Sequence, residues 1–177
     1  MKTFLNRIST GSFRYRLLMG PARLSEIGLF CEQFQISNPL IVTDEGSKNL
    51  PFINRLITLL QKASIPSKLF FGVSPNPRDD EIMAGCEIYR SGKHDSIIAI
   101  GGGSAMDGAK AIGMTVNSGV NLWDFEYRKP SPKIGSKNCF PTFITVPTTA
   151  GTGAETESTA MITDTKQGMK FCLAHLG

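Results

Sequence analysis

Long apolar runs are absent from this 177-residue chain. No stretch approaches the length a bilayer requires, so a helical membrane protein is not expected. The opening Met1-Lys2-Thr3-Phe4-Leu5 starts like a signal peptide, but Asn6, Arg7, Ser9 and Thr10 interrupt it before an apolar region forms. Histidine is scarce. His94 and His175 stand far apart with no nearby cysteine or carboxylate constellation, which makes a poor zinc or iron site and leaves no Ser-His-Asp arrangement for hydrolysis. His94, between a helix and a strand in Lys93-His94-Asp95, is expected at the surface. Four cysteines, Cys31, Cys86, Cys139 and Cys172, form no CxxC pair, which excludes zinc-ribbon and thioredoxin-type sites. Cys86 is expected on the apolar face of a helix as a small hydrophobe. Charge of one sign is also thin: the net is +4. Arg14 and Arg16, then Arg128, Lys129, Lys133 and Lys137, come nearest to clusters, with few interleaved aromatics. A nucleic-acid partner is therefore not expected. With 41% apolar and 19% charged residues, the chain reads as one soluble, reduced, cytoplasmic domain with a real core.

Glycine is what the chain places with most purpose. Ile97-Ile98-Ala99-Ile100 runs into Gly101-Gly102-Gly103-Ser104-Ala105-Met106-Asp107, and Phe143-Ile144-Thr145-Val146 runs into Pro147-Thr148-Thr149-Ala150-Gly151-Thr152-Gly153-Ala154-Glu155. In each, an apolar strand ends in residues that let the backbone approach something closely, and a helix start is expected next. Free N–H groups and a positive dipole end suit a phosphate there. Three successive glycines at a helix start also imply a close neighbour or positive φ.

The rest of the chain alternates strand and helix from residue 40 onward. Strands are expected at 40–43, 68–73, 96–100 and 142–146. Pro51 opens a helix with Phe52, Leu56, Leu60 and Ala63 on one face. A second helix starts at Asn76-Pro77, with Asp79, Asp80 and Glu81 complementing its dipole and Ile82, Cys86 and Tyr89 as its core stripe. Ser104 caps a third. Residues 117–139 form a long excursion, and 160–163 with 169–173 form a hairpin about Asp164–Gly168. Continuous apolar strands between amphipathic helices mean an α/β fold: a doubly wound, mostly parallel sheet covered on both faces, plus the hairpin. Ligands on such sheets bind beyond the carboxyl ends of the strands, where Asp44, Asn76, 101–104 and 147–152 all fall.

Two common phosphate motifs do not fit. A GxGxxG fingerprint needs glycine where Met106 stands, and the expected ribose-binding acid should follow the loop, whereas Asp44 precedes it. A GxxxxGK[ST] loop fails because Ala109 separates Gly108 from Lys110.

The strings present resemble those of the iron-type (group III) alcohol dehydrogenase family. Val42-Thr43-Asp44-Glu45-Gly46 resembles its VTDxG strand end, Pro75-Asn76-Pro77 its PNP turn, and Gly101–Lys110 its GGGSxxDxAK loop. Val146–Glu155 is similar to VPTTAGTGSE, with Ala154 where serine is usual, and Ile162-Thr163-Asp164 with Lys170 to its ITD hairpin and lysine. The matches keep order and spacing from about residue 14 to residue 173.

The resemblance implies an NAD(P)-linked oxidoreductase of small alcohols or aldehydes, working as a homo-oligomer, a dimer. It implies that residues 1–177 are the dinucleotide-binding domain, and that the helical domain holding the Fe²⁺ or Zn²⁺ of a full-length enzyme lies outside this chain. It assigns Asp44 to the adenosine ribose, Gly101, Gly102, Gly103 and Ser104 to the pyrophosphate, and Asn76 to the cofactor. Asp107, Thr148, Thr149, Thr152 and Lys170 would line the nicotinamide-ribose side. NAD is expected over NADP, because a 2′-phosphate would be repelled by the Asp44 carboxylate. A glycerol dehydrogenase, maleylacetate reductase or dehydroquinate synthase relative stays open as a sister reading, as does a stand-alone nucleotide-binding module without catalysis.

Purely structural roles compete for the same residues. Asn76 and Ser104 are good N-caps, Ser104 with Asp107 and Thr152 with Glu155 read as capping boxes, Asp44 could simply turn the chain, and Lys170 could be solvated. The segment Phe171–Ala174 is expected to be exposed and adhesive.

Overall fold

The computed structural model describes residues 16–135 and 140–174. Arg14, Lys137, Cys139, His175 and the opening segment fall outside the described residues. A 3₁₀ turn at Arg23–Glu26 leads into α1 (Ile27–Gln33). There follow β1 (Pro39–Asp44), α2 (Pro51–Lys62), β2 (Lys68–Val73), α3 (Asp79–Ser91), β3 (Ser96–Gly101) and α4 (Gly103–Thr115). A second 3₁₀ turn, Leu122–Phe125, interrupts the expected excursion before β4 (Thr142–Pro147), β5 (Thr159–Asp164) and β6 (Met169–Ala174).

The first four strands form one parallel sheet in the order β2-β1-β3-β4, and β5 and β6 form an antiparallel pair. From β1 the chain steps outward to β2, then returns past β1 to β3. The direction of travel reverses there, so right-handed crossovers place the connecting helices on opposite faces. Side-chain alternation sorts the core accordingly. Ile41, Ile98 and Ile100 meet Ile27, Cys31, Ile53, Leu56 and Leu60 from α1 and α2. Leu40, Val42, Ile97 and Ala99 meet Ile82, Cys86, Met106, Ala109 and Ile112 from α3 and α4. β1 and β3 carry continuous apolar runs, Leu40–Val42 and Ile97–Ile100, because both their faces are covered.

Helix α4 needs small residues where it crosses the sheet. A Cβ at Gly108 would lie 2.8 Å from Val73 Cγ1, and Ala105, Ala109 and Ala111 are fully buried beside it. The hairpin packs on α4 through Ala160, Ile162 and Leu173. It is tied to the β2–α3 connection by Thr163 N–H donating to Pro77 O (2.7 Å).

Several local expectations give way here. The inward face of α2 is Ile53, Leu56 and Leu60, whereas Ala63 lies past the helix end and is exposed. Phe171–Ala174 is not adhesive tail but strand β6, with Leu173 fully buried. His94 is buried, 8% exposed, with Nδ1 2.9 Å from Asn38 O. Burial pushes the thiols of Cys31 and Cys86 up to about 11, so both behave as inert hydrophobes, as expected of Cys86.

Candidate functional site

Because the winding reverses between β1 and β3, a crevice opens beyond their carboxyl ends, the place where open α/β sheets bind ligands. Asp44 closes β1 and Gly101 closes β3. Gly101 has φ of +148°, and a Cβ there would lie 2.7 Å from Ala105 Cβ and 3.1 Å from Asp44 Oδ2. Only glycine fits that turn without strain. Helix α4 begins at once, capped by the backbone of Gly102 with no side-chain hydrogen bond. Its first-turn N–H groups therefore lack intrahelical acceptors and face the crevice as donors to an anion.

The loop after β4 forms the other wall. Thr148 N–H donates to Gly101 O (2.9 Å). Cβ atoms at Gly102 and Gly103 would lie 3.3 Å from Thr149 Oγ1 and 3.1 Å from Thr152 Cγ2. The glycine turn thus has an acidic flank on β1 and a threonine flank on the loop. Thr148, Thr149 and Thr152 are exposed.

Asp44 is half-buried, and its described hydrogen bonds come from Ser47 alone: the N–H to Oδ1 (2.9 Å) and the hydroxyl to Oδ2 (2.8 Å). Two carboxylate lone-pair positions are left for further donors such as ribose hydroxyls. The hydroxyl of Thr43 is wholly buried with no hydrogen-bond partner, and it would lie 3.4 Å from a Cβ at Gly101. Polar groups so placed usually serve a water or ligand.

The caps expected from sequence are used differently. Ser104 lies inside α4, and its hydroxyl donates to Pro75 O (2.6 Å), holding the Pro75-Asn76-Pro77 turn against the glycine turn. Asn76 does not cap α3, which starts at Asp79 with Arg78 as N-cap and Glu81 accepting from Arg78 N–H (3.0 Å). Asn76 Oδ1 accepts instead from Lys170 Nζ (2.7 Å). The hairpin thereby carries Lys170 to the site, 94 residues away in sequence. Asp107 makes no capping box. Its Oδ2 accepts from Met161 N–H (3.1 Å) and its Oδ1 pairs with Lys110 (3.0 Å). No helix follows Thr152, whose hydroxyl accepts from Ala154 N–H (3.3 Å). Glu155 Oε2 is buried without a partner.

The contacts bring Asp44, Gly101–Gly103, Thr148, Thr149 and Thr152 together at the carboxyl edge of the sheet, with Asn76 and Lys170 joined to it through Ser104 and Pro75, whereas Asp107 meets only Met161 and Lys110. Lys110, given no role from sequence, is the structural addition. Its signal was its place in the Gly101–Lys110 string.

The residues fit a dinucleotide and do not fit a catalytic metal. A glycine cradle, free helix N–H groups and an available carboxylate suit the former. For the latter, no three His, Cys, Asp or Glu side chains converge among the described residues, and His94 sits at the opposite end of the sheet.

The model for "Iron-containing alcohol dehydrogenase" matches residues 15–176. The chain belongs to that family. Among curated proteins, it is 37% identical over 136 residues to a choline dehydrogenase of Bacillus subtilis, covering 77% of this chain and 33% of the relative. It is 31% identical to a 1,3-propanediol dehydrogenase of Citrobacter freundii, covering 87% and 39%. A sulfoacetaldehyde reductase from Bifidobacterium kashiwanohense, solved in complex with NAD⁺, superposes with a TM-score of 0.77 at 28% identity, covering 89% of this chain and 40% of that one. The chain therefore spans one third to two fifths of the lengths of these three proteins. No helix among the described residues is long and apolar enough to cross a membrane.

Proposed function

We propose that this chain is the nucleotide-holding half of an NAD-linked alcohol dehydrogenase of the iron type, acting on a small alcohol or aldehyde. The reading rests chiefly on one juxtaposition: an available carboxylate at the end of β1 and a positive-φ glycine turn at the end of β3, side by side at the switch point. Residues 1–177 are in this reading one dinucleotide-binding domain. The family's metal, Fe²⁺ or Zn²⁺, belongs to the part of the relatives' length that this chain does not match. The protein is assigned to the cytoplasm as a homodimer.

Asp44 would accept hydrogen bonds from the two adenosine ribose hydroxyls, bonds strengthened by its charge. Gly101, Gly102, Gly103 and Ser104 would present N–H groups to the pyrophosphate. Asp107, Thr148, Thr149, Thr152 and Lys170 would line the nicotinamide-ribose side, and Asn76 would contact the cofactor. When bound, the nicotinamide supplies the hydride acceptor for alcohol oxidation or the donor for aldehyde reduction. This chain's own part is to orient that ring and keep it fixed.

A 2′-phosphate would bring a doubly negative group to Asp44. Unit like charges about 4 Å apart repel by roughly 4 kcal/mol at an effective dielectric near 20. Even after solvent screening removes most of this, about 1.4 kcal/mol gives tenfold discrimination. Titration calorimetry of the chain with NAD and NADP tests the reading: NAD is expected to bind at least about tenfold more tightly. Equal affinities would remove Asp44 from the site, and no binding of either would end the proposal. The chain alone, given Fe²⁺ or Zn²⁺, is expected to oxidise no alcohol.

A further inference from the structure

The 148–158 loop carries three of the residues placed around the nicotinamide, yet little of it is held by burial. Only Ala154 reaches the core, while Thr148, Thr149, Ala150, Gly151 and Thr152 are exposed. It contains no helix or strand, and Gly151 and Gly153 take positive φ. A loop of this kind keeps one shape only if polar tethers hold it. One tether is at its start, from Thr148 N–H to Gly101 O. The other is Lys110.

The side chain of Lys110 is 12% exposed. Its ammonium donates to Ala154 O (3.0 Å), Glu157 O (3.4 Å) and Thr159 O, and pairs with Asp107 Oδ1 (3.0 Å). An ammonium has three protons, so this set of acceptors leaves none for a ligand. Lys110 follows the glycine turn much as the lysine of a phosphate-binding loop does, but it is spent on backbone carbonyls. It thus joins the middle of α4 to the far end of the loop and the first residue of β5. Its partner Asp107 receives Met161 N–H with the other oxygen, so the two side chains together clip the loop's exit to the helix.

We infer that Lys110 is a positioning residue: it fixes the 148–158 loop so that Thr149 and Thr152 stand against Gly102 and Gly103, and thereby sets the nicotinamide side of the site without touching the cofactor. The inference rests on the nucleotide reading above. Its distinctive consequence is a split between the two halves of one ligand. The adenosine side depends on Asp44 and β1, which Lys110 does not touch, whereas the nicotinamide side depends on the loop.

The test is to measure AMP and NAD binding to the wild-type chain and to Lys110→Met, with amide exchange on both. Lys110→Met is expected to weaken NAD about tenfold, equivalent to about 1.4 kcal/mol, while AMP stays within about twofold. Exchange should quicken in 148–158 and not in β1 or β3. NAD and AMP weakened in proportion, or neither changed, would overturn the inference. Should Lys110→Met fail to fold, Lys110→Gln, which lacks the charge and can reach fewer carbonyls, carries the same split between NAD and AMP. The conservative control is Lys110→Arg, which keeps the charge and several donors. It should retain loop protection and NAD affinity within about threefold of wild type. Loss of NAD as severe as in a fully disordered loop would count against a tethering role. A wild-type chain that binds neither ligand sinks the nucleotide reading itself. Loop exchange then decides the tether alone, unchanged exchange in Lys110→Met overturning it.

Discussion

Two aspartates at opposite ends of the central sheet separate holding a fold from holding a ligand. Asp95 precedes β3 at the amino edge. Its Oδ2 accepts from Ser37 N–H (2.7 Å), Ser37 Oγ (2.6 Å) and Asn38 N–H (3.0 Å), and its Oδ1 from Ser96 Oγ (2.7 Å). Asn38 in turn donates to Gly92 O (3.0 Å) and receives His94, so the α1–β1 and α3–β3 connections are laced together. Asp44, at the carboxyl edge, has only the neighbouring Ser47. One carboxylate is filled by three donors from a distant connection and one from its neighbour, and the other is kept open by a local turn. A carboxylate that the fold does not consume is the one available to a ligand.

The comparison can be broken most forcefully at Gly101. Alanine there would be forced into φ near +148° and against Ala105 and Asp44. We expect Gly101→Ala to cost about 3 kcal/mol of stability, combining backbone strain and overpacking, and to abolish nucleotide binding. Thermal melts and calorimetry measure both. A variant as stable as wild type would mean that the carboxyl edge relaxes freely.

Asp95→Ala should come next, at about 2 kcal/mol, since four hydrogen bonds are lost, each worth little because the site is exposed. NAD affinity should not change. The same aspartate gives a pH signature. Burial raises its pKa, but the hydrogen bonds from Ser37, Ser96 and Asn38 outweigh it, and the folded value lies below the ordinary 3.8. The unfolded chain then binds the proton more readily. The contribution is complete above about pH 4 to 5 and is lost as pH falls through 3.8 and below. The stability gap between wild type and Asp95→Asn should accordingly narrow over that window in urea unfolding. A gap independent of pH would mean that the carboxylate's charge is not what the network uses.

Asp44→Gly should have the smallest effect on stability and an effect on ligands instead. NAD should weaken about tenfold, and NADP should bind as well as NAD. Unfolding should move by less than about 1 kcal/mol, because only the Ser47 bonds are lost. If Asp44→Gly destabilised as much as Asp95→Ala, the distinction between the two aspartates would collapse.

Much of this was legible in order of residues. Alternation of apolar strands with helices of period 3.6 determined the elements, their parallel sheet and the edge on which Asp44, Asn76 and both glycine-rich turns fall, because these depend on local sterics and on burial of one stripe. The family strings determined kinship. What each polar residue does was decided only by tertiary structure. Ser104, Asp107, Asn76 and Thr152 all carry the local pattern of helix caps, and none caps a helix. Their partners lie at Pro75, Met161, Lys170 and Ala154. His94 became buried because Asn38 offered an acceptor from another strand end. Lys110 found carbonyls 44 to 49 residues further on. A hydroxyl, carboxylate or ammonium satisfies any geometry within about 3 Å, so a local window cannot choose between a near partner and a far one. The reversal of winding at β1 and β3 made that choice by bringing the distant partners together.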